Sequence, residues 1–118
     1  VPVESPDGIA EWTALNRTFH ARLFASSRRK HLCHVAGTFR DMVERYVRIE
    51  VAMTGHLGEA QAEHHEIVEA FAKGQAERVG RLSREHCEHT ANRLIGALRA
   101  RERQGTGSDD DPPAIDQG

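Results

Sequence analysis

The chain has 118 residues, 38% of them hydrophobic and 29% charged, with a formal net charge of −2. That length suits one domain with a modest core, and so slight an acidity makes no electrostatic case for nucleic acid or a membrane surface. No apolar run approaches a membrane span and no secretory leader is visible, while two isolated cysteines, Cys33 and Cys87, make no disulfide framework, so a cytoplasmic protein is expected.

The chain opens on Val1 rather than Met, which leads us to expect a fragment or a processed product. Residues 1–4 read as a lead-in. Ser5-Pro6-Asp7 reads as a helix start: a capping hydroxyl, proline at the first helical position, then an acid near the positive end of the helix dipole. The first helix is expected from Pro6 to Ala25. Ile9, Trp12, Leu15, Phe19 and Leu23 recur at intervals of three and four and form its apolar stripe. Asn16 and His20 fall on or beside that stripe, one turn apart, and point the same way. A second helix is expected from Lys30 to Met53, with Leu32, Val35, Ala36, Phe39, Val43, Tyr46 and Val47 inward. Gly37 inside it weakens the helix by about 1 kcal/mol against Ala and is read as room for a close helix crossing. Thr54-Gly55-His56 ends it. The third helix is expected from Gly58 to Lys73, with Ala60, His64, Ile67, Val68 and Phe71 inward and Gly74 as its C-terminal stop. The fourth is expected from Gln75 to Gln104, with Val79, Leu82, His86, Thr90, Leu94, Ala97 and Leu98 inward. From Gly105 to the end, turn formers and acids with almost nothing to bury read as a disordered tail. No alternating β-branched run appears, so the expected fold is all-α, an antiparallel bundle of about four long helices over residues 1–104.

The chemistry lies in the histidines. There are eight, and three of them, His20, His64 and His86, occupy apolar-stripe positions on three different helices. One inward histidine is ordinarily a core residue bonded to a carbonyl. Three converging from separate rigid helices, with the amide of Asn16 beside one, are what a divalent transition metal takes, Zn²⁺ or Ni²⁺ first. His65, His31 and His34 read as surface residues and His56 as a loop residue. His89, three residues after His86, could approach the same cavity but is assigned to the surface. The Arg and Glu residues of the fourth helix read as a solvated face.

Two other functions compete. A histidine-ligated metal with an open position can activate water, which would make an enzyme. Against this, Glu63 and Glu85 adjoin ligands in sequence and are expected to point elsewhere, so no general base stands beside the cage. A di-iron carboxylate bundle needs Glu-x-x-His on two helices, and the chain has none. The other alternative is a metal-free interaction bundle whose inward histidines are satisfied core.

Three segments also resemble a family. NRTFHARLFASS is similar to the Asp/Asn-x-x-Phe-His-x-x-Leu segment of the C-terminal effector domain of GntR-type transcriptional regulators, the FCD (FadR C-terminal) domain. EHHEIVEAFAKGQAERV resembles its Glu-His-x-x-Ile segment, and REHCEHTANRLIGAL its closing His-x-x-x-Thr helix, in the same order along the chain. The resemblance implies a divalent metal held by Asn16, His20, His64 and His86, a small organic acid completing the coordination, and no enzymatic activity. It places Arg40 at a position that often lines the effector pocket. It also implies that the chain holds the last four helices of a six-helix bundle. DNA would be read only through a winged helix-turn-helix domain absent from this chain. Uncovered apolar faces make a homo-oligomer the expectation.

Overall fold

Four helices follow one another: α1 (Pro6–Ala25), α2 (Lys30–Thr54), α3 (Leu57–Ala72) and α4 (Ala76–Thr106). The computed structural model describes residues 5–55 and 57–106, and no strand occurs among them. His56 and residues 107–118, most of the expected tail, lie outside the described residues. Gly105 and Thr106, assigned to that tail, continue α4 instead.

Local chemistry sets the helix ends. The Ser5 hydroxyl accepts from the Gly8 N–H at 3.0 Å, with Pro6 at the first helical position and Asp7 in the first turn. Gly55 (φ 63°) and Gly74 (φ 68°) adopt left-handed conformations that stop α2 and α3. The Gly55 N–H reaches the Val51 carbonyl at 2.9 Å, and the Gln75 N–H reaches the Ala70 carbonyl at 3.0 Å. Between α1 and α2, where no strong stop signal is written, side chains make the turn. The Ser27 hydroxyl accepts from the Arg29 N–H, and the Cys33 thiol donates back to the Phe24 carbonyl at 3.1 Å. Arg28 takes a positive φ of 55°, an uncommon conformation for a residue with a side chain.

α1 packs on α2, α3 on α4, and α2 on α4. Arg17 pins α1 to α2 through Asp41, at 3.0 Å, and Glu44. The apolar core is Ile67 and Ala70 of α3 with Leu82 of α4, flanked by Phe19 and Leu23 of α1 and Val79 of α4. It sits within one turn of each of the three inward histidines, because Phe19 adjoins His20, Ile67 follows His64 by three residues and Leu82 precedes His86 by four.

Three of the expected stripes are corrected in part. On α2, Leu32, Val35, Phe39 and Val43 are exposed, and the line facing α1 and α4 instead carries Cys33, Ala36, Arg40, Glu44, Val47, Glu50 and Val51. Leu15 on α1 is exposed, as are Val68 and Phe71 on α3. A helix with apolar residues on two faces does not declare which one a neighbour covers, and no helix among the described residues covers this one. Gly37 makes no close crossing, since a Cβ there would meet nothing within 4 Å. The α4 stripe stands, with Leu82, His86 and Ala97 buried.

Candidate metal centre

Each inward histidine is carried by a different helix and ends in the same place. His20, His64 and His86 are buried at 7%, 8% and 7% exposure, and one nitrogen from each lies within 4.8 Å of the others. The His64 and His86 Nε2 atoms are 3.2 Å apart. Two nitrogens each about 2.0–2.1 Å from one ion at a tetrahedral angle stand roughly 3.3 Å apart, so this pair is already spaced as two ligands would be. The His20 and His86 rings stack at 5.3 Å between centroids, and His64 meets both rings edge-on. Phe19 packs on His20 and on His64, at 5.0 and 4.5 Å, and closes the apolar side.

The setting keeps the His20 and His64 imidazoles neutral. Burial, with help from the Arg40 charge and the other two histidines, lowers the His20 pKa from 6.5 to about 3. Burial first, then His86, lowers that of His64 to about 4. Neutral imidazole is the form that donates a lone pair to a metal.

A cavity of about 350 Å³ opens beside the triad, lined in part by Trp12, Asn16, His20, Arg40, Glu50 and His86. Two of its polar atoms are buried without a hydrogen-bond partner: Asn16 Oδ1 on α1 and Arg40 Nε on α2. An unpaired buried polar atom costs about 1–3 kcal/mol. These two are opposite in kind. The amide oxygen is an acceptor without a donor, and the guanidinium Nε–H is a donor without an acceptor. Burial also pulls the Arg40 pKa below its ordinary value, with Glu44 offsetting part of the effect.

The family model of the FCD domain matches residues 3–89. The chain belongs to the FCD domain family. FCD domains are helical, regulatory domains that sense effectors in GntR-type transcription factors, and the family is not a catalytic one. No curated protein and no solved structure matches the chain. No helix among the described residues is long and apolar enough to cross a membrane.

Within this FCD domain the structure brings together Asn16, His20, His86 and Arg40 around one cavity, with His64 completing the triad from the α3 side. His65 is exposed, as expected. Glu85 turns outward to Arg81, also as expected. Glu63 does not point elsewhere. Its Oε2 accepts from His86 Nδ1 at 2.5 Å and its Oε1 from His89 Nδ1 at 2.8 Å. His89 is therefore exposed but not idle. Arg93, read as part of a solvated face, is mostly buried and forks onto both Glu63 oxygens at 3.2 and 3.3 Å. Burial alone would raise the Glu63 pKa, but hydrogen bonds from Arg93, His86 and His89 outweigh it and hold it at about 2. Glu50, buried at 4% exposure and accepting from the Thr54 hydroxyl, was likewise hidden in the pattern. The signal that could have found Glu63 and Arg93 is spacing: Glu59 and Glu63 lie i,i+4 on α3, as do His89 and Arg93 on α4, and the two pairs face one another across the seam.

Proposed function

We propose that this chain is the metal-dependent effector-sensing domain of a GntR-type regulator. It would hold a divalent transition metal, Zn²⁺ or Ni²⁺ first, through Asn16, His20, His64 and His86, and a small carboxylate through Arg40. The carrying observation is the pair of buried, unpartnered atoms in one cavity, Asn16 Oδ1 on α1, one turn before His20, and Arg40 Nε on α2. A cation answers the first and an anion the second. The donor set fits: three neutral imidazoles and an amide oxygen suit a borderline divalent ion. The metal, when bound, supplies a positive anchor for one carboxylate oxygen. The apolar walls, Trp12 among them, suit the body of a small organic acid.

The site spans helices, and that gives binding a consequence. The histidines sit on α1, α3 and α4, while Arg40 sits on α2. A carboxylate held at both ends ties α2 to the other three, so it favours whichever packing brings Arg40 closest. A separate winged helix-turn-helix domain would read that change out on DNA in the cytoplasm. The uncovered apolar line of α2 would serve a homo-oligomer. A metal-free core is the weaker reading, because it leaves Asn16 Oδ1 unanswered. An enzyme is weaker too, because Glu63 is committed to His86, His89 and Arg93 and is not a free base.

Thermal unfolding of the untagged chain tests this. Zn²⁺ or Ni²⁺ should raise the midpoint, and a carboxylate should raise it further only when metal is present. Arg40→Gln should keep the metal effect and weaken the carboxylate effect by about 10- to 100-fold in apparent affinity, as for loss of a charged hydrogen bond. A carboxylate effect that is independent of metal and of Arg40 would overturn the assignment.

Asn16→Asp should bind Zn²⁺ more tightly than the parent. Three imidazoles and an amide leave two positive charges uncompensated in a poorly solvated site, and a carboxylate is the stronger oxygen donor. The replacement is nearly isosteric. Calorimetric titration at fixed pH decides it, and equal or weaker binding would remove Asn16 from the coordination shell.

A further inference from the structure

We infer that Glu63 is a positioning residue, which fixes the His86 imidazole in its Nδ1–H form so that the Nε2 lone pair faces His20 and His64. This rests on the metal reading above for its purpose but on the hydrogen-bond geometry for its existence. The bond from His86 Nδ1 to Glu63 Oε2 is 2.5 Å, and the same oxygen receives Arg93 Nη2 at 3.3 Å. The other oxygen receives His89 Nδ1 at 2.8 Å and Arg93 Nη1 at 3.2 Å. A carboxylate accepts and never donates when ionised, so every group bonded to it must present a hydrogen. His86 therefore carries its proton on Nδ1. A neutral imidazole holds only one, which leaves Nε2 as an acceptor.

That choice propagates. The His64 and His86 Nε2 atoms stand 3.2 Å apart. With His86 Nε2 an acceptor, the contact is a hydrogen bond only if His64 carries its proton on Nε2. With both rings neutral, the metal-free pair is thus asymmetric: His86 is in its ligating form, whereas His64 must move its proton from Nε2 to Nδ1 to offer the same atom. Arg93 braces the orienting carboxylate with a two-pronged fork and is itself tied to Glu59 at 3.4 Å. His89, on the exposed side, completes a line of groups from the buried ligand to the surface of the α3·α4 seam. Partners of this kind typically contribute 10- to 100-fold to metal affinity by holding ring orientation.

The test uses the full chain and Zn²⁺ alone as probe, with Glu63→Gln as the variant. Two quantities are read: zinc affinity against a competing chelator, and the His86 tautomer in the metal-free protein by long-range proton–nitrogen NMR. The parent is expected to show His86 protonated on Nδ1 and His64 on Nε2. Glu63→Gln is expected to lose 10- to 100-fold in zinc affinity and to show His86 as a mixture of tautomers, with helix content unchanged by circular dichroism. An unchanged tautomer in the variant overturns the inference even if affinity falls, and so does a shifted tautomer with full affinity. If the variant does not fold, the parent spectrum decides: His86 protonated on Nε2 overturns the inference. If the parent binds no zinc, the metal reading fails, while the parent tautomers still decide whether Glu63 orients His86.

Discussion

His64→Ala is expected to lower zinc affinity by about 100-fold or more while leaving the four helices formed. Structural zinc sites are worth roughly 10–16 kcal/mol over four ligands, so one ligand carries about 3 kcal/mol, on the order of a factor of 100. His64 is the α3 member of the triad, and its Nε2 is the atom placed 3.2 Å from that of His86. No neighbouring donor replaces it, because His65 is exposed and Glu63 is held by α4. The helix itself depends on other residues. Ile67 and Ala70, at 1% and 0% exposure, supply the burial that docks α3. Losing the imidazole contact with Phe19 should cost about 1–3 kcal/mol of stability, against about 2–5 kcal/mol for Ile67→Ala. The pair of variants separates the roles: Ile67→Ala loses the more stability and keeps its affinity for zinc in the folded fraction, whereas His64→Ala loses the affinity and less of the stability. Denaturant unfolding and zinc titration of both variants check this. Full zinc affinity in His64→Ala would show the cage to be misassigned.

The metal-free chain should lose stability as the pH falls below 6.5. His20 and His64 titrate near 6.5 when unfolded but only at about 3 and about 4 when folded, chiefly because burial penalises the charged ring. Between those values the unfolded state binds protons that the native state refuses. Stability therefore rises with pH across the window, is fully present above 6.5, and is lost as pH falls toward about 4 for His64 and about 3 for His20. Each such histidine contributes at most about 1.4 kcal/mol per pH unit, so two give a slope of up to about 2.7 kcal/mol per unit. A small domain with roughly 5–15 kcal/mol in hand would then unfold in mild acid. Glu63 acts in the same direction but lower. Its folded pKa of about 2 against 4.5 unfolded gives stability that is present above 4.5 and lost as pH falls toward 2. Chemical unfolding of chelator-treated protein between pH 4.5 and 8 is the measurement. A flat profile would mean that these histidines are solvated and that no dry cage exists.

The sequence carried the helices and the inward histidines for a common reason. Ser5, Gly55 and Gly74 are punctuation whose effect is local, so helix ends fell within two residues of expectation. His20, His64 and His86 were visible because a polar residue on an apolar stripe stands out against its neighbours. The inward face of α2 was not visible, because Arg40, Glu44 and Glu50 made the packed line look polar, while Leu32, Val35, Phe39 and Val43 made the open line look buried. Periodicity reports that a face is apolar and is silent about what lies opposite. Glu63 was missed on a related ground. A residue next to an inward ligand turns about 100° away on its own helix. On a helix packed against one neighbour, that direction leads to α4 and not to water.

We propose above that His20, His64, His86 and Asn16 hold one divalent ion. X-ray absorption of the untagged chain loaded with one equivalent of Zn²⁺ tests it most directly. One ion retained per chain is expected, with three imidazole nitrogens at about 2.0–2.1 Å and the remaining shell made of oxygen. A shell containing sulfur from Cys33 or Cys87, a shell of oxygen alone, or zinc lost on desalting would contradict it.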